Sequence, residues 1–251
     1  MTLLYHVFTI PMVRLSGFRR SIEDMRVEPY SVGSFLHVVK RGARGMNITG
    51  DVHDQRRFLR LLYFMNDLFF NEDWEEQVEG RDFGYRPEHW PQRKPLTSVL
   101  AYTLMPNHFH LVLKETRERG ISRFMQKIGQ SMTEHFNLKY DQHGSIFQGS
   151  YRSRTIGDDI YFRYVTAYVA VKNTFELYPR GGLRSAQRDF EKAWKWGIAY
   201  QFSSLRSYLA PESDPLLDPE AISEMLPVGA AFKTFSRDVI RGGKWTNGEF
   251  E

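Results

Sequence analysis

The 251 residues contain no cysteine. This excludes disulfides and thiolate-held zinc, and with them an iron–sulfur cluster. A long apolar run is also missing. The most apolar helical window, LRLLYFMNDLFF at 59–70, is broken by Asn66 and Asp67 and is too short to span a bilayer. The first twenty residues lack a charged lead and a small-residue cleavage site, so the expectation is a cytoplasmic protein with no membrane partner. Charge of one sign is scarce overall, at a net +4. With 41% hydrophobic and 25% charged residues, intrinsic disorder is excluded. What the chain has in excess is aromatics, at 15%, with 13 tyrosines among them.

The modest charge is unevenly spread. Residues 114–184 hold 12 Lys/Arg against 7 Asp/Glu, whereas EDWEEQVEGRD at 72–82 carries six acids and one Arg. A polyanion would therefore meet the middle of the chain and avoid 72–82.

The periodicities predict a mixture of strands and helices. SFLHVVK at 34–40 reads as a strand, followed by the glycine-rich loop RGARGMNITG. Asp51 or Asp54 caps a helix to about residue 70, with Phe58, Leu59, Leu62, Phe64 and Phe69 apolar. The acidic stretch 71–95, with Pro87, Pro91 and Pro95, reads as an inserted loop. TSVLAYTL at 97–104 and FHLVLKE at 109–115 form a hairpin-like pair around MPNH. Ser122 caps a helix to about 140, whose apolar residues are Phe124, Met125, Ile128, Met132, Phe136 and Leu138. Two short strands around Gly149 and a helix over 159–173 follow, and a tail rich in Trp and Tyr wraps onto the core as short helices. The fold class is α+β, an antiparallel sheet with helices on one face.

The strongest chemical signal is PNHFHLVL at 106–113. Strand alternation points His108 and His110 the same way, as two imidazoles that can converge on one divalent ion or as two half-exposed histidines of an ordinary strand. On the helix GDDIYFRYVTAYVAVKN at 157–173, Tyr161, Tyr164, Tyr168 and Lys172 fall within an arc of about 80°. Basic residues near aromatics or glycines, the pattern that holds single strands, are Arg41, Arg44, Arg123, Lys127, Arg152 and Arg154, with Tyr151 as the interleaved aromatic.

MPNHFHLVLK resembles the His-hydrophobic-His motif of the HUH endonucleases, and within them the single-tyrosine and REP-associated tyrosine transposases. HVVKRGARG at 37–45, DQRRFL at 54–59, GSIFQGSYRSR at 144–154 and KWGIAYQFSSLRSYL at 195–209 extend the likeness over roughly 34–208. The resemblance implies a ferredoxin-like or RRM-like core over 34–184, preceded by an extension at 1–33 and followed by a helical tail over 185–251. It implies Mg2+ or Mn2+ at His108 and His110, Tyr168 as nucleophile, and single-stranded or hairpin DNA as substrate, cleaved through a 5′-phosphotyrosine. It leaves monomer or homodimer open.

One departure stands out. Relatives carry an amide four residues after the tyrosine, followed by proline; here those positions are Lys172 and Asn173. A protonated lysine donates only and cannot ligate. Three readings stay open: Lys172 contacts phosphate or stabilises the Tyr168 phenolate, Asn173 ligates if the helix end unwinds, or the protein is a domesticated binder of hairpin DNA or RNA that does not cut. An unrelated metal hydrolase built on the same His pair ranks last, because no H-E-x-x-H spacing is present.

Overall fold

The computed structural model describes residues 29–179 and 181–242, so most of the extension at 1–33 and the end of the tail lie outside the described residues. The order of elements is β1 Phe35–Arg41, α1 Val52–Phe64, α2 Trp74–Val78, β2 Thr97–Met105, β3 His108–Glu115, α3 Gly120–Tyr140 and β4 Arg152–Ile156. Beyond these come α4 Asp159–Ala167, a π-helical turn Tyr168–Lys172, α5 Asn173–Glu176, α6 Gly182–Arg188, α7 Phe190–Gly197, α8 Pro219–Met225 and α9 Ala230–Gly242. Strand order β2-β3-β1-β4 with antiparallel neighbours gives the ferredoxin-like sheet.

Alternation along the strands divides the sheet into two faces. Leu36, Val38, Phe109, Leu111 and Leu113 line one face and are fully buried. They meet Phe58, Leu61 and Leu62 of α1 and Phe124, Ile128 and Met132 of α3, with the Phe58 and Phe109 rings 5.0 Å apart. The other face carries His37, His108 and His110 and is covered by α4, the π turn and the tail, so helices pack on both faces rather than one. The tail also covers the sheet's open β2 edge. Leu104 N–H donates to Phe202 O at 2.9 Å and Ser204 N–H to Tyr102 O at 2.9 Å, which satisfies backbone groups an edge strand would otherwise expose.

Several local expectations are corrected. Helix α1 ends at Phe64 rather than near 70, because the Asn66 side chain leaves the helix pattern to bond Leu96 N, Thr97 N and Thr97 O at 2.8–3.0 Å. The 71–95 stretch is not a plain loop: it forms α2 and buries Trp74, Val78 and Trp90, and Arg57 clamps Glu75 across to α1. Ser122 lies inside α3 and does not cap it. The Glu115 carboxylate does, accepting from Gly120 N at 2.9 Å and Ile121 N at 2.7 Å. Leu138 is 88% exposed rather than on the apolar face. One strand, β4, replaces the two expected around Gly149; Phe147 adds an isolated bridge to Gly42.

Candidate active site

The turn Pro106–Asn107 starts β3 at His108, paired with Met105 on β2 and Arg41 on β1. The loop after β1 is stitched to this turn: Gly42 N–H donates to Asn107 O at 2.7 Å and Ile48 N–H to Pro106 O at 2.9 Å. A Cβ on Gly42 would fall 2.2 Å from Met46 O, so only glycine lets the loop close against the His turn. The His108 and His110 rings are 4.8 Å apart, on one face as the alternation predicts.

A third histidine joins them. His37 Nε2 lies 2.9 Å from His110 Nδ1, and the two rings stack 5.2 Å apart with 10° between planes. Engaging Nδ1 leaves Nε2 as the ligating atom of His110, the arrangement that second partners of metal-binding imidazoles supply. Asn107 Oδ1 engages His108 Nδ1 at 2.6 Å in the same way. Burial, and then the Arg154 guanidinium, pushes the His37 pKa down to about 3. Burial first, and then the neighbouring His37 and His108, holds His110 well below the ordinary range. Both rings are therefore neutral at physiological pH, the form that can ligate.

The tyrosine arrives from the opposite layer. Asp158 caps α4 through Tyr161 N at 2.8 Å. The helix does not run on as α to 173, as expected. From Tyr168 it widens, and Asn173 N–H donates to Tyr168 O, an i→i+5 bond. The Thr103 hydroxyl of β2 donates to the Val169 carbonyl inside this turn, tying it to the sheet opposite His110. Tyr168 is 3% exposed, with its ring 5.8 Å from that of His110 and 5.9 Å from that of His37. Lys172 Nζ sits 4.5 Å over the Tyr168 ring, 3.4 Å from its Oη and 2.6 Å from Glu176 Oε1.

The widened turn bears on the Lys172–Asn173 departure. One extra residue in the turn makes Asn173, not Lys172, the residue bonded one turn above Tyr168. Its side chain is 1% exposed, and both Oδ1 and Nδ2 lack a hydrogen-bond partner. Buried amides are seldom left so, and an amide oxygen is a ligand suited to Mg2+ or Mn2+.

Residues 92–172 match the family model described as transposase, IS200 like. That segment begins just before β2 and ends on the last residue of the π turn, so it holds His108, His110 and Tyr168 and omits β1 with His37. Among solved structures, the chain is similar to a REP-associated tyrosine transposase bound to a REP hairpin, at 15% identity and a TM-score of 0.42, covering 76% of this chain and 88% of that one. No curated protein matches it.

Around this site, Arg41 is paired with His108, Arg154 with His37 and Arg152 with Val39, so these three share the His face at the sheet's β1–β4 side. Arg44 is exposed in the stitched loop, in the left-handed region at φ 54°. The remaining candidates are not brought here. Arg123 is exposed on α3, Lys127 donates to Asp67 O at 2.8 Å beside the end of α1, and Tyr151 bonds Tyr30 and Ser122 on the helix side. His37 and Glu176 were not among the expected residues. The one sequence signal for His37 was a lone histidine inside an apolar strand.

A second cluster among the described residues has ligand geometry: His53, Asp54 and His135 offer atoms within 4.8 Å of one another. It does not fit an ion. Asp54 Oδ1 accepts from Lys139 Nζ at 2.6 Å and faces His135 Nε2 at 3.0 Å, while Oδ2 accepts from Gly50 N at 2.8 Å and Tyr140 Oη at 2.7 Å. Burial alone would raise this carboxyl, but those donors outweigh it and hold its pKa down. The Lys139 ammonium already supplies the compensating charge. No helix among the described residues is long and apolar enough to cross a membrane.

Proposed function

We propose that this IS200-like chain is a metal-dependent single-stranded DNA endonuclease and strand transferase acting near hairpin DNA. The observation that carries the reading is the meeting of Tyr168 with His110, residues 58 apart in sequence, in ring contact at 5.8 Å. His108 and His110 would hold Mg2+ or Mn2+ through Nε2, with Asn173 Oδ1 the third protein ligand, which fits its unpaired buried amide. When bound, the ion supplies Lewis-acid polarisation of the scissile phosphate.

The chain's own groups do the rest. The Tyr168 oxygen attacks phosphorus, forming a 5′-phosphotyrosine while the bond to the departing 3′ oxygen breaks. The phenol proton is lost to solvent, and the 3′ oxygen takes a proton from solvent and leaves as a hydroxyl. A free phenol titrates near 10, so the Lys172 ammonium beside Oη is the cation that favours the attacking phenolate. Glu176 keeps that ammonium paired and in place. Arg41, Arg152 and Arg154 offer charge to the strand's phosphates along the His face.

The test incubates purified protein with a hairpin oligonucleotide carrying single-stranded flanks, with Mn2+ or Mg2+. A covalent adduct should survive denaturing electrophoresis, and Tyr168→Phe should abolish it. Adduct formation by Tyr168→Phe would refute the nucleophile. Salt-dependent binding with no adduct in either metal would instead identify a non-cleaving hairpin binder.

A further inference from the structure

On the opposite side of the sheet from the His pair lies a groove of about 690 Å³ between α3 and the segment 145–151. Its floor is Lys40, the residue before Arg41 on β1. Strand alternation sends Arg41 to the His face, paired with His108, and Lys40 to the helix face, paired with Phe109. The Lys40 ammonium donates to Gly149 O at 3.0 Å and lies 4.6 Å over the Phe147 ring. Among the described residues, no carboxylate is within 4.0 Å of it. An ammonium has three donors, so one carbonyl does not exhaust it.

The wall has a gap at this cation. Gly129 of α3 stands where a Cβ would come within 3.1 Å of Lys40 Cε and 3.5 Å of Nζ. Gln126 and Gln130, one turn apart and exposed, flank that opening. At one end the Tyr151 hydroxyl is pinned by Ser122 at 3.1 Å and Tyr30 at 3.2 Å, which fixes its ring beside the groove. The groove is joined to the His edge by a short piece of backbone: Gln148 N–H donates to Arg41 O at 3.0 Å, and Phe147 bridges Gly42.

We infer that this groove takes one unpaired nucleobase of the strand that passes the His face, its carbonyl oxygen on Lys40 and its ring against Phe147 or Tyr151. A cation, aromatic rings and side-chain amides together are the set that holds unpaired bases, and lysine donating to a base carbonyl is a recurrent contact. Arg41 and Lys40, adjacent on one strand end, mark the path of the backbone from one face to the other. Guanine, thymine and cytosine carry the carbonyl; adenine does not. The inference rests on the proposed single-strand DNA reading.

The experiment uses the full chain and a fluorescent hairpin oligonucleotide whose single-stranded flanks are replaced one nucleotide at a time by an abasic residue. In the wild type, one flank position should lose about tenfold in affinity when its base is removed, and a similar amount when it is changed to adenine. In Lys40→Met the intact and abasic strands should bind alike. Gln126→Ala with Gln130→Ala, at exposed positions that leave the core untouched, should flatten the same position part-way. If Lys40→Met and the double variant keep the wild-type abasic profile, the groove is not a base site, although the DNA reading survives. If the wild type binds no flanked hairpin at all, both fall.

Discussion

Acid should destabilise this protein through His37, and by a calculable amount. Its pKa is about 3 in the folded chain against the ordinary 6.5, because burial, with Arg154 opposite, penalises the charged ring. A histidine whose folded pKa is depressed is neutral in the native state while the unfolded chain takes up a proton below 6.5. Stability is therefore intact above that value and falls as pH drops from 6.5 towards 3. Between about pH 7.5 and pH 5, proton linkage at this one site removes about 2 kcal/mol. His110, shifted the same way, adds to the fall. The assay is urea unfolding with a chelator present, at both pH values, for the wild type and His37→Gln. Glutamine keeps an acceptor for His110 Nδ1 but has no proton to take up. The variant should be less stable at neutral pH, yet lose about 2 kcal/mol less on acidification. An equal loss in the two proteins would show that His37 is protonated in the native state, and would refute the neutral, buried imidazole pair.

Other substitutions probe separate parts of the structure. Asn173→Ala should lower Mn2+ affinity about tenfold by calorimetry. It should leave unfolding nearly unchanged, since the amide bonds nothing in the fold; equal Mn2+ binding would remove Asn173 from the ligand set. Asn66→Ala strands two N–H groups and one carbonyl between Leu96 and Thr97, and should cost about 2–4 kcal/mol in denaturant unfolding. Gly42→Ala forces a Cβ against the Met46 and Asn107 carbonyls, and should cost about 1–3 kcal/mol by the same measurement.

Local patterns carried much of this architecture. Strands β1 to β3 follow from β-branched runs and the Pro-Asn turn, and the His pair follows from alternation alone. Features fixed by partners outside the element itself were not legible. Ser122 has the chemistry of a cap, but the α3 terminus is satisfied by Glu115 at the end of the preceding strand. The 71–95 stretch has a loop's prolines and charge, yet Trp74 and Trp90 anchor it, and two buried indoles outweigh that composition. The widened turn at Tyr168 lies in a sequence that reads as ordinary helix, and Thr103 holds its Val169 carbonyl from 66 residues away. His37 lay hidden because a single histidine in an apolar strand has no spacing to betray it; only pairing of β1 with β3 sets it against His110.

The cover on β2 has a consequence for how the molecule is made. Phe202 and Ser204 pair with Leu104 and Tyr102, residues about a hundred positions earlier. Contacts that distant close slowly, because the intervening chain must give up its freedom first. During synthesis the sheet and its two helices α1 and α3 emerge complete while that strand edge stands open, until residues 200–208 leave the ribosome. A chain stopped before that point presents an unpaired strand to its neighbours, the template on which aggregates grow. The last third of the chain thus acts as the folding step that makes the first two-thirds safe.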